Sequence, residues 1–285
     1  MTDAAKARAR VAGAAACAAL GVGLASAPAE GQTRPLRWDP PLDAAVTVGG
    51  VAIWLASEIF KGDLAPSHCR WCDVDSLDAQ ARNALRWRDT ASADAMSNVT
   101  GFVVMPLAAV GLTALSAAHD GVLGHNVVED TLLIAETSVV AEDVTQLAKI
   151  LFGRERPFVH ALPPDQKPLT PQPSDNDLSF FSGHTTGAFA LATAAGTIGT
   201  MRGYRLTPLV WSAGGAVAFT TAYLRVAADK HWLTDVLVGA VAGAGIGFAV
   251  PFFFHSAVDD PPRRSAAAAL RAPSPPVGTT MAFAW

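Results

Sequence analysis

The chain is poor in charge. Asp, Glu, Lys and Arg make up 16% of its 285 residues and hydrophobic residues 51%, which is too few charges and too much apolar surface for an ordinary soluble domain. Basic residues are not in excess either. The 21 Lys and Arg stand against 25 Asp and Glu, a net charge of −4, which argues against a nucleic-acid protein, where a basic face is expected. Only three cysteines occur; Cys17 lies in the apolar leader and would leave with it, so Cys69 and Cys72 remain. A zinc site at Cys69 and Cys72, in SHCRWCD, would need two more ligands, and only His68 stands nearby. No cluster of metal ligands is evident, and no cofactor is expected. Strict apolar–polar alternation is never sustained and no internal repeat appears, so neither a sheet nor a solenoid is expected.

What the chain has in quantity is apolar helix. Segments near 44–60, 99–118, 127–152, 184–200, 208–224 and 233–254 read as six helices, several close to the ~20 residues that cross a bilayer. The expected fold is all-α, a bundle of about six apolar helices embedded in a membrane. Residues 1–29 carry Lys6, Arg8 and Arg10, an apolar run from Val11 to Ala27, and then Ala27 and Ala29 at signal-peptidase spacing. They read as a signal peptide cleaved after Ala29, with an uncleaved N-terminal anchor as the alternative. Residues 30–98 hold an N-terminal helix and a polar loop with the cysteine pair, with a short amphipathic helix near 76–90. Residues 99–256 form the core. Residues 257–285 are Pro-, Ala- and Arg-rich and read as disordered. In an exported chain Cys69 and Cys72 are expected to form a short disulfide.

The segment 127–152 is too acidic to face lipid. Glu129, Glu136 and Asp143 recur every seven residues and mark one polar stripe, facing either a bundle interior or water. No basic residue recurs at matching spacing, which favours a structural role.

Three polar clusters stand at the ends of apolar helices. His231 and Asp235 are four apart, so on a helix they share a face, and the carboxylate would orient the ring and free its other nitrogen as a nucleophile. A surface His–Asp pair is the bland alternative. Ser182-Gly183-His184 opens a helix: Ser182 suits an N-cap, Gly183 lets an anion approach free N–H groups, and His184 suits a general acid. An ordinary cap with a surface histidine is the alternative. Lys149 and Arg156 are seven apart on one face before Pro157 stops the helix, and Arg225 adds a third cation. Three such cations suit a phosphoryl group, although each alone reads equally as a membrane-edge cation.

The combination is far more specific than its parts. K-x6-RP (Lys149–Arg156–Pro157), SGH (182–184) and R-x5-H-x3-D (Arg225, His231, Asp235), in that order, resemble the type 2 phosphatidic acid phosphatase superfamily over about residues 99–254. Phe181 stands where that pattern has proline and Leu224 where it has serine. The resemblance implies a metal-free phosphatase in which His231 attacks phosphorus, Asp235 orients it, and His184 protonates the leaving group and then activates water. Lys149, Arg156, Arg225, Ser182 and Gly183 would hold the phosphate. The implied substrate is a lipid phosphate, of phosphatidate or isoprenoid pyrophosphate type, and membrane lipids are the expected surroundings. Alternatives are a periplasmic acid phosphatase for soluble substrates, a vanadium haloperoxidase on the same scaffold, and a non-catalytic membrane scaffold.

With six spans all three clusters share one side, and Arg34, Arg37, Arg202, Arg205, Arg263 and Arg264 share the other. The positive-inside rule then puts the site on the periplasmic face of a bacterial inner membrane. A cleaved leader would invert that arrangement, so the two expectations conflict.

Overall fold

The computed structural model describes residues 33–257. The leader at 1–29 and the tail beyond 257 lie outside the described residues. Within them the fold is all-α, as expected. Six long helices appear: α1 (Pro40–Ile59), α3 (Thr90–His119), α4 (His125–Phe152), α5 (Gly183–Arg202), α6 (Thr207–Ala227) and α7 (Leu233–Phe254), with a short α2 (Ser76–Leu85) between the first two. Single helical turns occupy Lys61–Leu64 and Pro157–His160.

Local chemistry sets the boundaries. Asp39 accepts from the Leu42 N–H at 3.3 Å, and Pro40 and Pro41 fill first-turn positions whose N–H groups would be unpaired anyway. Asp89 caps α3 through the Ser92 N–H at 3.1 Å. That cap starts the helix nine residues before the apolar run at 99, so α3 is longer than its hydrophobicity indicates. The α3 backbone widens to a π-helical stretch at Thr100–Val104, just before Pro106, and α7 does the same at Val250–Phe254 around Pro251. A proline inside a helix offers no N–H to the preceding turn, and the wider turn absorbs the loss.

Helix α5 is the central element, packed against α3, α4, α6 and α7. Small residues let its neighbours come close. A Cβ on Gly243 of α7 would lie 2.2 Å from the Thr186 carbonyl oxygen, so no side chain fits there. Gly243→Ala should therefore force the α5–α7 pair apart and cost about 1–3 kcal/mol, read as a lower thermal midpoint. Met105, Leu133, Ile134, Leu191, Ile198 and Val210 fill the core around α5. The exterior is also apolar: Ile53, Leu107, Leu115, Leu147, Val241 and Phe253 are exposed on α1, α3, α4 and α7. Helices Pro40–Ile59, Thr90–His119 and Leu233–Phe254 are each long and apolar enough to cross a membrane.

The acidic stripe of α4 faces the bundle interior, not water. Glu129, Asp130 and Glu136 are all buried. The buried acids have a basic partner on another helix. Arg202, only 1% exposed, donates to Asp130 at 2.9 Å and pairs with Glu129, while the Tyr204 hydroxyl donates to Asp130 at 2.8 Å. Arg202 is one of the arginines that the sequence assigns to this side. It is a buried ion-pair partner. Both ends of the described chain meet here: Arg34 N–H donates to the Arg202 carbonyl at 3.0 Å, and Arg37 N–H to the Ser256 carbonyl at 3.2 Å.

Candidate active site

At the other end of the bundle a cavity of about 830 Å³ opens between α1, α3, α4 and α5. Six of the residues singled out in the sequence line it: Lys149, Arg156, Gly183, His184, Arg225 and His231. Ser182 and Asp235 are fully buried and do not line it.

Lys149 comes from the last turn of α4. The helix ends at Phe152, and Gly153 follows in the left-handed region at φ 56°, a conformation glycine adopts without strain. The expected continuation of one helix face to Pro157 does not occur. Arg156 instead lies in extended backbone after the glycine turn and caps the Pro157–His160 turn. It reaches the cavity because Gly153 redirects the chain.

Arg156 is held by backbone carbonyls. Its Nε donates to Asp175 O at 2.8 Å and one terminal nitrogen to Lys230 O at 3.2 Å, and that same nitrogen stands 3.4 Å from His231 Nε2. His231 is buried, 3% exposed, in the loop between α6 and α7. Its Nδ1 lies 2.8 Å from the Ser179 carbonyl. A carbonyl only accepts and a guanidinium only donates, so both contacts are satisfied by one tautomer: proton on Nδ1, lone pair on Nε2. Burial, reinforced by Arg156, Arg225 and Lys149, pushes the His231 imidazole well below its ordinary value, so the ring is neutral.

The Asp235 carboxylate does not bond His231 directly. Its Oδ2 is 3.6 Å from Nδ1 and accepts instead from Ser179 Oγ at 2.5 Å and Trp232 N–H at 3.0 Å. The sequence placed His231 and Asp235 on one helical face. The helix starts only at Leu233, so Asp235 serves as a first-turn cap, and it braces Ser179, whose carbonyl holds His231.

Ser182 occupies the N-cap position of α5, but its hydroxyl makes no cap bond to a backbone N–H; it accepts from Thr185 Oγ1 at 3.0 Å. Its N–H donates to the Asp235 carbonyl at 3.2 Å, which ties the SGH turn to α7. A Cβ on Gly183 would sit 3.3 Å from Lys149 Nζ, so the glycine leaves that ammonium room beside the helix terminus. His184 Nε2 lies 2.7 Å from Asn98 Oδ1, and its ring is 4.4 Å from that of Phe102.

Several residues at the site carried no signal in the sequence. Asp94 accepts from Arg225 at 2.7 Å, with Ser97 Oγ at 2.8 Å from the same nitrogen. Asp175 faces Arg156 at 3.5 Å and Lys61 at 3.3 Å. Burial alone would raise the Asp175 carboxyl, but Arg156, Lys61 and Lys149 together hold it below the usual carboxylate range. Arg154 is 1% exposed; it donates to Asp78 and Asp235, each at 2.5 Å, and to Thr234 Oγ1 at 2.7 Å, with its guanidinium 4.0 Å over the Trp71 ring. Trp71 lies inside the loop closed by the Cys69–Cys72 disulfide, whose Cα atoms are 5.6 Å apart. That loop is pinned to the site by Arg70 N–H to Gly153 O at 2.9 Å and by Glu155 N–H to Trp71 O at 3.2 Å.

The fold and cavity define a helical-bundle protein in which cations, carboxylates and two histidines share the wall of one cavity. Residues 130–258 match the PAP2 superfamily, so the resemblance carried by the three motifs holds for the core of the chain. Among solved structures, the chain is similar to one described as the first transmembrane PAP2 type phosphatidylglycerolphosphate phosphatase from Bacillus subtilis. The TM-score is 0.45 and the identity 18%, over 74% of this chain and 95% of that one. No curated protein matches.

Proposed function

We propose that this protein is a phosphatase that hydrolyses a lipid phosphate through a phosphohistidine on His231. The observation that carries the reading is the pinned tautomer of His231, whose Nε2 lone pair lies beside Arg156 in a cavity also lined by Lys149, Arg225 and His184. Nε2 attacks phosphorus and a P–N bond forms as the P–O bond to the alcohol breaks. His184, entering the step as the imidazolium, gives a proton to the leaving oxygen and is left neutral. In the second step His184 takes a proton from water, the hydroxide displaces the histidine, and inorganic phosphate leaves. Arg156, Arg225 and Lys149 meet the charge on the equatorial oxygens in both steps, with Gly183 N–H at the helix terminus. Asp94 and Asp175 hold these cations in place until phosphate displaces them. No metal or cofactor enters this scheme.

The cavity's other wall supports a lipid substrate. Val51, Trp54, Phe102, Val139, Ala188 and Leu191, from α1, α3, α4 and α5, give the cavity an apolar lining that suits an acyl or prenyl chain, beside polar groups such as Ser138 and Gln146. Purified protein in mixed micelles should release phosphate from long-chain phosphatidate or an isoprenoid pyrophosphate with a kcat/KM well above that for a soluble aryl phosphate. The reverse order would favour the soluble acid phosphatase reading. Halide oxidation with added vanadate would favour the haloperoxidase reading, and no turnover at all the scaffold.

The bundle sits in a bacterial inner membrane with the cavity end outside, in this proposal. The disulfide loop shares that end through its bonds to Gly153 and Glu155, and a disulfide persists on the oxidising side. After mild reduction of intact cells, a membrane-impermeant thiol reagent should label Cys69 and Cys72. Labelling only after lysis would place the cavity on the cytoplasmic side.

A further inference from the structure

A second cluster of potential ligands lies toward the other end of the bundle. Asp43 in the first turn of α1, Glu136 midway along α4 and His255 just past α7 each bring a ligand atom to within 4.8 Å of the others, and all three are buried. Glu136 does not line the cavity, and it is thirteen residues before Lys149 on the same helix, or roughly 20 Å along its axis, so the phosphate end of the cavity is not involved.

Two polar atoms in the cluster are orphaned. Glu136 Oε2 and His255 Nε2 are buried and have no hydrogen-bond partner among the described residues, in residues that are 7% and 3% exposed. They face each other at 3.4 Å, and only a protonated His255 ring could pair across that gap, while Asp43 Oδ2 lies 4.0 Å from His255 Nδ1. His255 Nδ1 lies 3.1 Å from the Arg37 carbonyl, which can only accept, so Nδ1 carries a proton. In the neutral ring Nε2 is then a bare lone pair aimed at a carboxylate oxygen. The arrangement is the one a metal-bound histidine adopts, with its outer N–H fixed by a backbone carbonyl. Asp43 is braced similarly, its Oδ2 accepting from the Asp39 N–H at 3.0 Å.

We infer that Asp43, Glu136 and His255 bind one divalent transition-metal ion that staples the two ends of the described chain to α4. With metal–ligand bonds of about 2.1 Å, donors 3.4 Å apart subtend about 108° at the ion, close to the tetrahedral angle. Charge points the same way. Two carboxylates and a neutral imidazole bury two negative charges, a proton on Nε2 cancels one of them, and a divalent ion cancels both. One nitrogen and two carboxylate donors suit Zn²⁺, Mn²⁺ or Fe²⁺ better than Mg²⁺. The ion would join the α1 start, α4 and the residues after α7, where no covalent link exists. The inference is independent of the proposed hydrolysis.

The test uses full-length protein purified in detergent, stripped with EDTA, desalted and titrated with Zn²⁺ and with Co²⁺. The wild type should take up one equivalent, gain several degrees in thermal midpoint, and show visible d–d absorption with Co²⁺. His255→Ala should lose at least about tenfold in affinity. A folded wild type that takes up neither ion, or uptake that His255→Ala leaves unchanged, overturns the site. If that variant does not fold, the wild-type stoichiometry and Co²⁺ spectrum decide by themselves.

Discussion

His231→Ala abolishes phosphate release, with an expected loss on the order of 10⁴–10⁶ in kcat. The size follows from the geometry. A nucleophile cannot be replaced by neighbours that only donate: Arg156 and Arg225 have no lone pair to offer phosphorus, and His184 Nε2 is turned to Asn98 Oδ1. Water entering the vacated space would still meet the cationic pocket, which is why some hydrolysis above background survives the loss of a nucleophile. His231→Gln sharpens the test. The amide fills part of the ring's volume and can bond the Ser179 carbonyl, but it supplies no nucleophilic nitrogen. Both variants should fold and bind product phosphate, since Arg156 is held by Asp175 O and Lys230 O independently of the ring. Retained turnover in either variant removes the phosphohistidine scheme.

Arg154→Met is the second large effect, and it acts at a distance from the phosphate. Arg154 neutralises two fully buried carboxylates, Asp78 and Asp235, and removing one partner of such a group costs about 3–5 kcal/mol. The loss should appear first as a fall in thermal midpoint. It should also fall on kcat rather than KM, because Asp235 positions Ser179 and Ser179 positions His231, while the phosphate-holding cations are untouched. Ser179→Ala separates the two consequences. It removes only the hydroxyl bond to Asp235, keeps the carbonyl that holds His231, and should lower kcat about tenfold with a small change in stability. An unchanged kcat in Ser179→Ala, or a KM effect alone in a folded Arg154 variant, would remove Arg154 and Asp235 from the catalytic chain and leave them structural.

The long helices were legible because each is an apolar run of nearly bilayer length, and that signal is local. Their ends were less so. The residues Thr90–Val99 are too polar to announce a helix, and only the Asp89 cap reveals it. Gly153, not Pro157, ends α4, because a left-handed residue terminates a helix as effectively as a missing N–H. The histidines and cations were legible because their spacings are short and their order is specific. Their partners were not. Asp94 lies 131 residues from Arg225, and Asp78 lies 76 from Arg154, so no periodicity connects them. The role of Asp235 was misplaced for a related reason: a spacing of four predicts a shared helical face only where a helix is present, and His231 precedes it.

The most direct measurement is to trap the intermediate. Wild-type protein mixed with a phosphate-labelled lipid substrate and denatured in alkali within one turnover should carry covalent label that is stable to base, lost in acid, and mapped to the peptide containing His231. His231→Ala should carry none. A wild type that turns over substrate without ever becoming labelled, or label on any other residue, would contradict the account.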